Sequence, residues 1–573
     1  MSDSVSSLSD KNNFVITSQE VKNRVDVVTS LRTITSRRVG DVNYINAKTA
    51  HDDTELLAEI GYKQELQRHF SKTQVFGVAF SIMGLLPSIA SILGVALPGG
   101  SVSLVWGWAI SGAFVLANGL AMSELASAIP TSGGLYYYTH YYAPPKVKNF
   151  LSFIVGNCNS LALISCLCSI NYGLAGEILS IVVVGSNGNF NITNANTYGV
   201  YAACIIATAV VTSVATTAVS RLQTFSIVSN LLLICIFFVV LPVGVARSKD
   251  MEFNDAAYIF GDFENLSDWN NGWQFMLAGF QPLIWVIGGF DSCLHMSEEA
   301  KNATASVPFG IIGSISVCWF LGFFICIVIA ACSSQDVAAL VNTKFHQPLA
   351  QVLFDALGKK WTIAIMTLIA FCQFLMAASS LTAISRQIWA FARDDGLPFS
   401  SWIKVVNVKL SSPLRATWVG AGVALAIGCL CLIGPVASSA LFSLYISANY
   451  FSWMLPNLLR MTYGKDVFTP GAFFMGKYLS PVVNWISIIF ELFMILLVFF
   501  PTEQHGITPD TMNYSVVFIG AVWFLATIYY FIYKHKFYKG PKSNLTDEEY
   551  EENVGQDVLD AILSKSQDWD KTE

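Results

Sequence analysis

Four carboxyl side chains stand within or at the ends of long apolar stretches of this chain: Glu124, Glu177, Asp291 and Glu491. An acid in such surroundings is costly and is functional by default. Asp291 closes the run Trp285-Val286-Ile287-Gly288-Gly289-Phe290, with Pro282 just upstream. A second run, Phe80-Ser81-Ile82-Met83-Gly84-Leu85-Leu86-Pro87-Ser88, also places Gly and Pro in the middle of an apolar stretch. A helix broken inside a membrane frees N–H and C=O groups, which are tolerated only where they line a cavity or hold a solute. Two such breaks five spans apart point to an inverted-repeat carrier, with half-helix N-termini facing an anionic group and freed carbonyls facing a cation. Ordinary Pro/Gly kinks are the alternative.

The elements that must hold these residues follow from composition. The chain has 573 residues, 54 % hydrophobic and 13 % charged, with mean hydropathy +0.53, where soluble domains carry roughly 25 % charged residues. About 20 charges fall in Met1–Lys72 and about 16 in Lys534–Glu573. The middle is therefore too poor in charge to be soluble and has to meet lipid. About twelve apolar runs reach spanning length: Val75–Leu97, Leu104–Ile129, Phe150–Val184, Tyr198–Ala218, Thr224–Val245, Gln274–Phe290, Pro308–Ala331, Trp361–Ala392, Ala416–Ile433, Ala440–Leu459, Leu479–Phe500 and Tyr514–Tyr533. They are numbered spans 1–12 below. An even number puts both tails on one side, and Lys and Arg in the loops favour the cytoplasm for that side. No basic region followed by an apolar one opens the chain, so span 1 is expected to direct insertion.

Three regions result: a mostly disordered tail over 1–72, a twelve-helix domain over 73–533 and an acidic tail over 534–573. Asp53–Phe70 is expected to form a short amphipathic helix before span 1, and Asp52-x-x-x-Leu56-Leu57 also matches an acidic dileucine sorting signal. A further helix is expected near Asp557–Leu563. The tails could engage trafficking or ubiquitin machinery. The cysteines all lie in apolar stretches and read as small buried hydrophobes.

Several motifs occur in order. Glu124-Leu125 with Pro130-Thr131-Ser132-Gly133-Gly134-Leu135-Tyr136 resembles the end of span 2 in the amino acid–polyamine–organocation superfamily. Gly289-Phe290-Asp291-Ser292, Glu298-Glu299-x-Lys301 and Pro308 resemble its span 6 and the loop after it. The stretch Ser385-Arg386-Gln387-x-Trp389-Ala390-Phe391-Ala392-Arg393-Asp394-x-Gly396-Leu397-Pro398 is similar to the span 8 signature of the fungal amino acid/choline permease branch. Phe80–Ser91, Glu264–Phe275, Ser297–Lys301 and Phe371–Met376 look most like the GABA permeases of that branch.

The resemblance implies an all-α, LeuT-type fold of five-plus-five inverted repeats with two C-terminal helices, and proton-coupled movement of a small amino acid or amine by alternating access. It assigns substrate binding to Ser81, Ile82, Met83, Gly84 and Leu85 in span 1 and to Trp285, Gly288, Gly289 and Phe290 in span 6; the position of Asn157 in span 3 makes it a further binding candidate. Asp291 and Glu124 are the candidates for proton coupling. For Glu124 an ion pair with a loop cation is the other reading, and Asn157 and Asn159 could equally bond between helices. Some proton-coupled relatives carry a Lys on span 5, where this chain offers Ser226, Ser229 and Asn230, so the proton is assigned to Asp291. Desolvation favours the neutral acid at membrane depth, which lets Asp291 take and release a proton.

Other functions find less in the residues. No basic patch invites nucleic acid, and neither a phosphate loop nor a nucleophile–base or metal constellation is present in the sequence. An enzyme is therefore disfavoured, and no cofactor or metal is implied beyond a proton gradient. The alternatives that remain are a choline or polyamine permease and a non-transporting nutrient sensor. Expected partners are the small-molecule substrate and the lipid bilayer.

Overall fold

In the computed structural model, residues 53–542 are described, apart from 54, 55, 59, 215, 250, 408, 502, 507 and 509–511. The expected helix at Asp557–Leu563, the tail up to Asp52 and most of the acidic tail lie outside them.

Long apolar segments in a bilayer must satisfy their own backbone, and the described residues are almost wholly helical. Nine helical runs among them are long and apolar enough to cross a membrane. The first, Lys72–Ala128, has 57 residues, about 85 Å at 1.5 Å per residue, and so holds two crossings. Pro435–Thr462 supplies span 10. Span 6 is assembled from the short helices Asn271–Gly279, Gln281–Val286 and Ser292–His295. Twelve helical passages result among the described residues, each overlapping its expected run, with a boundary shift at the start of span 5, at Thr216 rather than Thr224.

Local chemistry sets the boundaries. Span 1 opens on a capping box, in which the Ser71 hydroxyl accepts from Gln74 N and the Gln74 side chain accepts from Ser71 N. Asn270 caps the start of span 6 through Trp273 N. Span 8 contains a break at Gly358, so Pro348–Leu357 forms a separate arm before the crossing that ends at Arg393. Spans 2 (Gly100–Ala128) and 7 (Ala303–Cys332) lock reciprocally. Trp319 fills the notch over Gly112 and Trp108 the notch over Gly322. Trp108 Nε1 donates to Trp319 O at 2.8 Å and Trp319 Nε1 donates to Ala109 O at 3.0 Å.

The segment before span 1 departs from expectation. Its helix ends near Ala58, Gly61 at φ 92° turns the chain, and residues 62–70 are not helical, with a bend at Leu66. Phe70 pairs with Ala300 after span 6, through Phe70 N to Glu299 O and Lys301 N to Phe70 O, both 3.0 Å. Leu56 and Leu57 are buried, so the dileucine packs into the fold. Both described chain ends reach the same end of the bundle. There the Tyr62 hydroxyl donates to Asp394 Oδ2 at 2.8 Å and Lys542 N donates to Asp394 Oδ1 at 3.2 Å.

Candidate functional site

Span 1 is broken where the sequence puts Gly84. The first half, Lys72–Met83, stops at Gly84, whose φ 43° and ψ 53° are left-handed, and the second half begins at Leu85. A helix start leaves its first N–H groups without intrahelical partners. Pro87 has none to offer, so Leu85 and Leu86 present the two N–H groups of this break. At the end of the first half, Gly84 N donates to Phe80 O and the Ser88 hydroxyl donates to Met83 O at 2.6 Å. The carbonyls of Ser81 and Ile82 are left at the turn.

Span 6 unwinds between Val286 and Ser292, with Gly289 at φ 80°. The two breaks touch: a Cβ on Gly289 would lie 2.6 Å from Ile82 Cγ2. Span 8 closes one side, since a Cβ on Gly84 would lie 2.7 Å from Met376 Sδ. Span 10 closes another, because any side chain on Gly288 would collide with the Tyr445 hydroxyl. The break of span 1 and the unwound backbone of span 6 therefore pack together at one buried point.

Asp291 stands at that point with no exposure. Asn159 Nδ2 donates to its Oδ2 at 3.2 Å and reaches Asn449 Oδ1 at 3.4 Å, while Asp291 Oδ1 and the Tyr445 hydroxyl have no hydrogen-bond partner. Trp285 is fixed by its Nε1 donating to Ser169 Oγ at 3.1 Å and by the Phe442 ring at 4.9 Å. Phe290 packs on Trp453, with ring centroids 4.5 Å apart.

The structure thus gathers Ser81, Ile82, Met83, Gly84, Leu85, Gly288, Gly289 and Asp291, with Trp285 and Phe290 in the adjoining wall. It does not bring in two residues. Asn157 donates to Phe153 O on its own helix and lines a separate apolar cavity of about 650 Å³ with Ile388, Phe399 and Trp402. Its neighbour two positions on, Asn159, faces Asp291 instead. Glu124 is paired with Arg460 at 2.6 Å and also accepts from Met475 N, Ser480 Oγ and Asn484 Nδ2. That is the ion-pair alternative, distant from the breaks. Tyr445, Asn449 and Met376 were not singled out by the sequence, although Tyr445 and Asn449 are one turn apart on span 10.

A second polar assembly closes the end of the bundle nearest both chain termini. Arg386 pairs with Glu299 at 2.7 Å and Arg393 with Glu298 at 2.9 Å, all four buried. Arg386 and Arg393, seven apart on span 8, meet consecutive acids that follow span 6. Arg68 donates to Ser297 O, Ala300 O and Asp53 O, and the Asp53 carboxylate accepts from Asn302 N and Ala303 N at the start of span 7. Burial pushes the Asp394 carboxyl above its ordinary value, against the opposing effect of Arg393 and the Tyr136 and Tyr62 hydroxyls.

A multi-span helical protein with paired helix breaks around a buried acid is a carrier in design, and sequence comparison assigns its family. The amino acid permease family model matches residues 70–522, and the chain belongs to that family. It is a transporter, not an enzyme. Over 539 residues it is 53 % identical to a GABA-specific permease of Saccharomyces cerevisiae, covering 94 % of each chain. An amino-acid permease of Schizosaccharomyces pombe is 35 % identical over 92 % of this chain and 96 % of its own. A Candida albicans protein named as a polyamine transporter is 29 % identical over 89 % and 93 %.

Proposed function

We propose that this permease carries GABA across a membrane together with protons, by alternating access around the two helix breaks. The observation that supports this reading is the close approach of Ile82 to Gly289, which brings the break of span 1, whose second half starts with the N–H groups of Leu85 and Leu86, against the unwound part of span 6 that precedes Asp291. GABA has a carboxylate at one end and an ammonium at the other. Its carboxylate fits the N–H groups, and its ammonium fits the carbonyls or Asp291. The 53 % identity to a GABA-specific permease supports the choice of substrate.

Both tails are assigned to the cytoplasm, since the loops on their side carry most of the loop Lys and Arg. The polar assembly that joins the chain ends to spans 6 and 8 then forms the inner closure. The tails, beyond Asp53 and Lys542, are where trafficking or ubiquitin machinery would engage.

The test is uptake of labelled GABA, putrescine and choline by cells lacking their own carriers, across pH 4–7. GABA uptake that rises with acidity and is inhibited by butyrate is expected. Uptake of putrescine or choline in its place, unaffected by butyrate, overturns the assignment. The polyamine reading is kept because of the Candida albicans relative.

A further inference from the structure

Glu491 takes no part in the site described above. It lies in span 11 (Leu479–Leu497), fully buried, and neither carboxyl oxygen has a hydrogen-bond partner. An unpaired carboxylate sealed between helices costs several kcal/mol, so such a site favours proton binding. Span 10 brings Tyr450 near it, the Tyr450 ring lying 6.3 Å from Phe490, and its own helix carries Ser487 one turn earlier. Span 2 packs through Phe114, stacked on Phe490 at 4.7 Å. The Glu124–Arg460 pair engages Asn484, about two turns or 10 Å earlier on span 11.

Span 10 connects this acid to the substrate site. Tyr445, Asn449, Trp453 and Asn457 recur every fourth residue, so they form one stripe along the helix. All four are buried and each retains a polar atom without a partner, as does Tyr450. Unsatisfied buried groups are ordinarily few and scattered; here they form a file. Asn449 reaches the Asn159 that holds Asp291. The Trp453 N–H lies beside the Asp291 carboxyl without closing a hydrogen bond. Tyr450 packs on Trp453 at 4.9 Å and lies near Glu491. Groups around Asp291 are Cys293 on its own span, Asn159 and Cys166 from span 3 and Tyr445 and Trp453 from span 10, none of them charged.

We propose that Glu491 is a second proton-binding carboxyl of this permease, carrying a proton of its own in addition to that of Asp291, to whose surroundings span 10 joins it through Tyr450 and Trp453. In each cycle the carboxylate gains one proton from water on the outer side and its O–H breaks to return that proton to water on the inner side, so charge and atoms balance with no further reactant. The Tyr450 hydroxyl, both donor and acceptor, can serve either form of the acid. The proposal rests on the proton-coupled reading above.

The experiment uses the full chain in proteoliposomes and measures two quantities. One is exchange of labelled GABA at equal concentrations; the other is GABA-driven proton entry with uphill accumulation. Glu491→Gln is expected to exchange like the parent but to accumulate about tenfold less GABA per unit of pH gradient, since one driving proton is lost. Glu491→Asp is expected to restore proton entry. Accumulation and proton entry equal to the parent in Glu491→Gln overturn the proposal. So does loss of exchange in that variant, or an Asp variant that behaves like the Gln one. Failure of the parent itself to take up protons with GABA overturns the coupling reading, and this proposal with it.

Discussion

Gly84 and Gly289 turn two helices inside the bundle, and each does so in a conformation that side chains resist. Gly289→Ala would force a Cβ into the left-handed region and against Ile82. GABA uptake is expected to fall at least about tenfold at unchanged membrane level, measured as initial rates normalised to surface protein. Asp291→Asn tests the proton instead: acid-stimulated uptake should vanish between pH 4 and 7, while the variant still folds and inserts. Normal acid-stimulated uptake by it would remove Asp291 from the mechanism. These residues were legible because Gly, Pro and an acid are conspicuous in an apolar run. Asn157 and Asn159 were not separable in the same way. Two residues apart on a helix they point in different directions, and only the neighbouring spans decide which one meets Asp291.

At the scale of elements, the twelve spans follow from hydropathy because a bilayer imposes both length and apolarity. Partnership between spans leaves a weaker trace. Glu124 could be read as a proton-coupling acid or as half of an ion pair, and the structure shows the ion pair, with Arg460, 336 residues away in sequence, meeting it at 2.6 Å. Removing one member of such a buried pair costs about 3–5 kcal/mol. Arg460→Met should therefore lower the unfolding temperature in detergent sharply, and adding Glu124→Gln should recover part of the loss. The interlock of Trp108 and Trp319 with Gly322 and Gly112 should prove equally intolerant. Gly112→Val would drive a branched side chain into the Trp319 ring, and a loss of folded protein on size exclusion is expected. The non-helical segment over 62–70 escaped the sequence because its apolar residues keep helical spacing although the chain turns at Gly61 and pairs with Ala300 through Phe70.

For the whole molecule, acidity should act on stability as well as on transport. His140, in the short helix Leu135–Tyr142, is pushed down to about 4 by burial, with Lys148 adding to the effect. Its ring accordingly stays neutral in the folded chain at pH values where an unfolded chain would protonate it. A group with a depressed folded value lends stability above its unfolded value near 6.5 and loses it as pH falls toward 4. The penalty at pH 5 is on the order of 2 kcal/mol. Thermal unfolding in detergent should show a lower midpoint at pH 5 than at pH 7, and His140→Gln should narrow the difference. The ring lies against Gly540, so the C-terminal segment should be the first to loosen. The pairing of Phe70 with Ala300 has a mechanical meaning. Each broken span is a hinge, and two free hinges would let the halves of spans 1 and 6 move separately. Tying the strand before one to the strand after the other turns them into a linkage with a single degree of freedom, so probes on 72–83 and 292–299 should move in step or not at all.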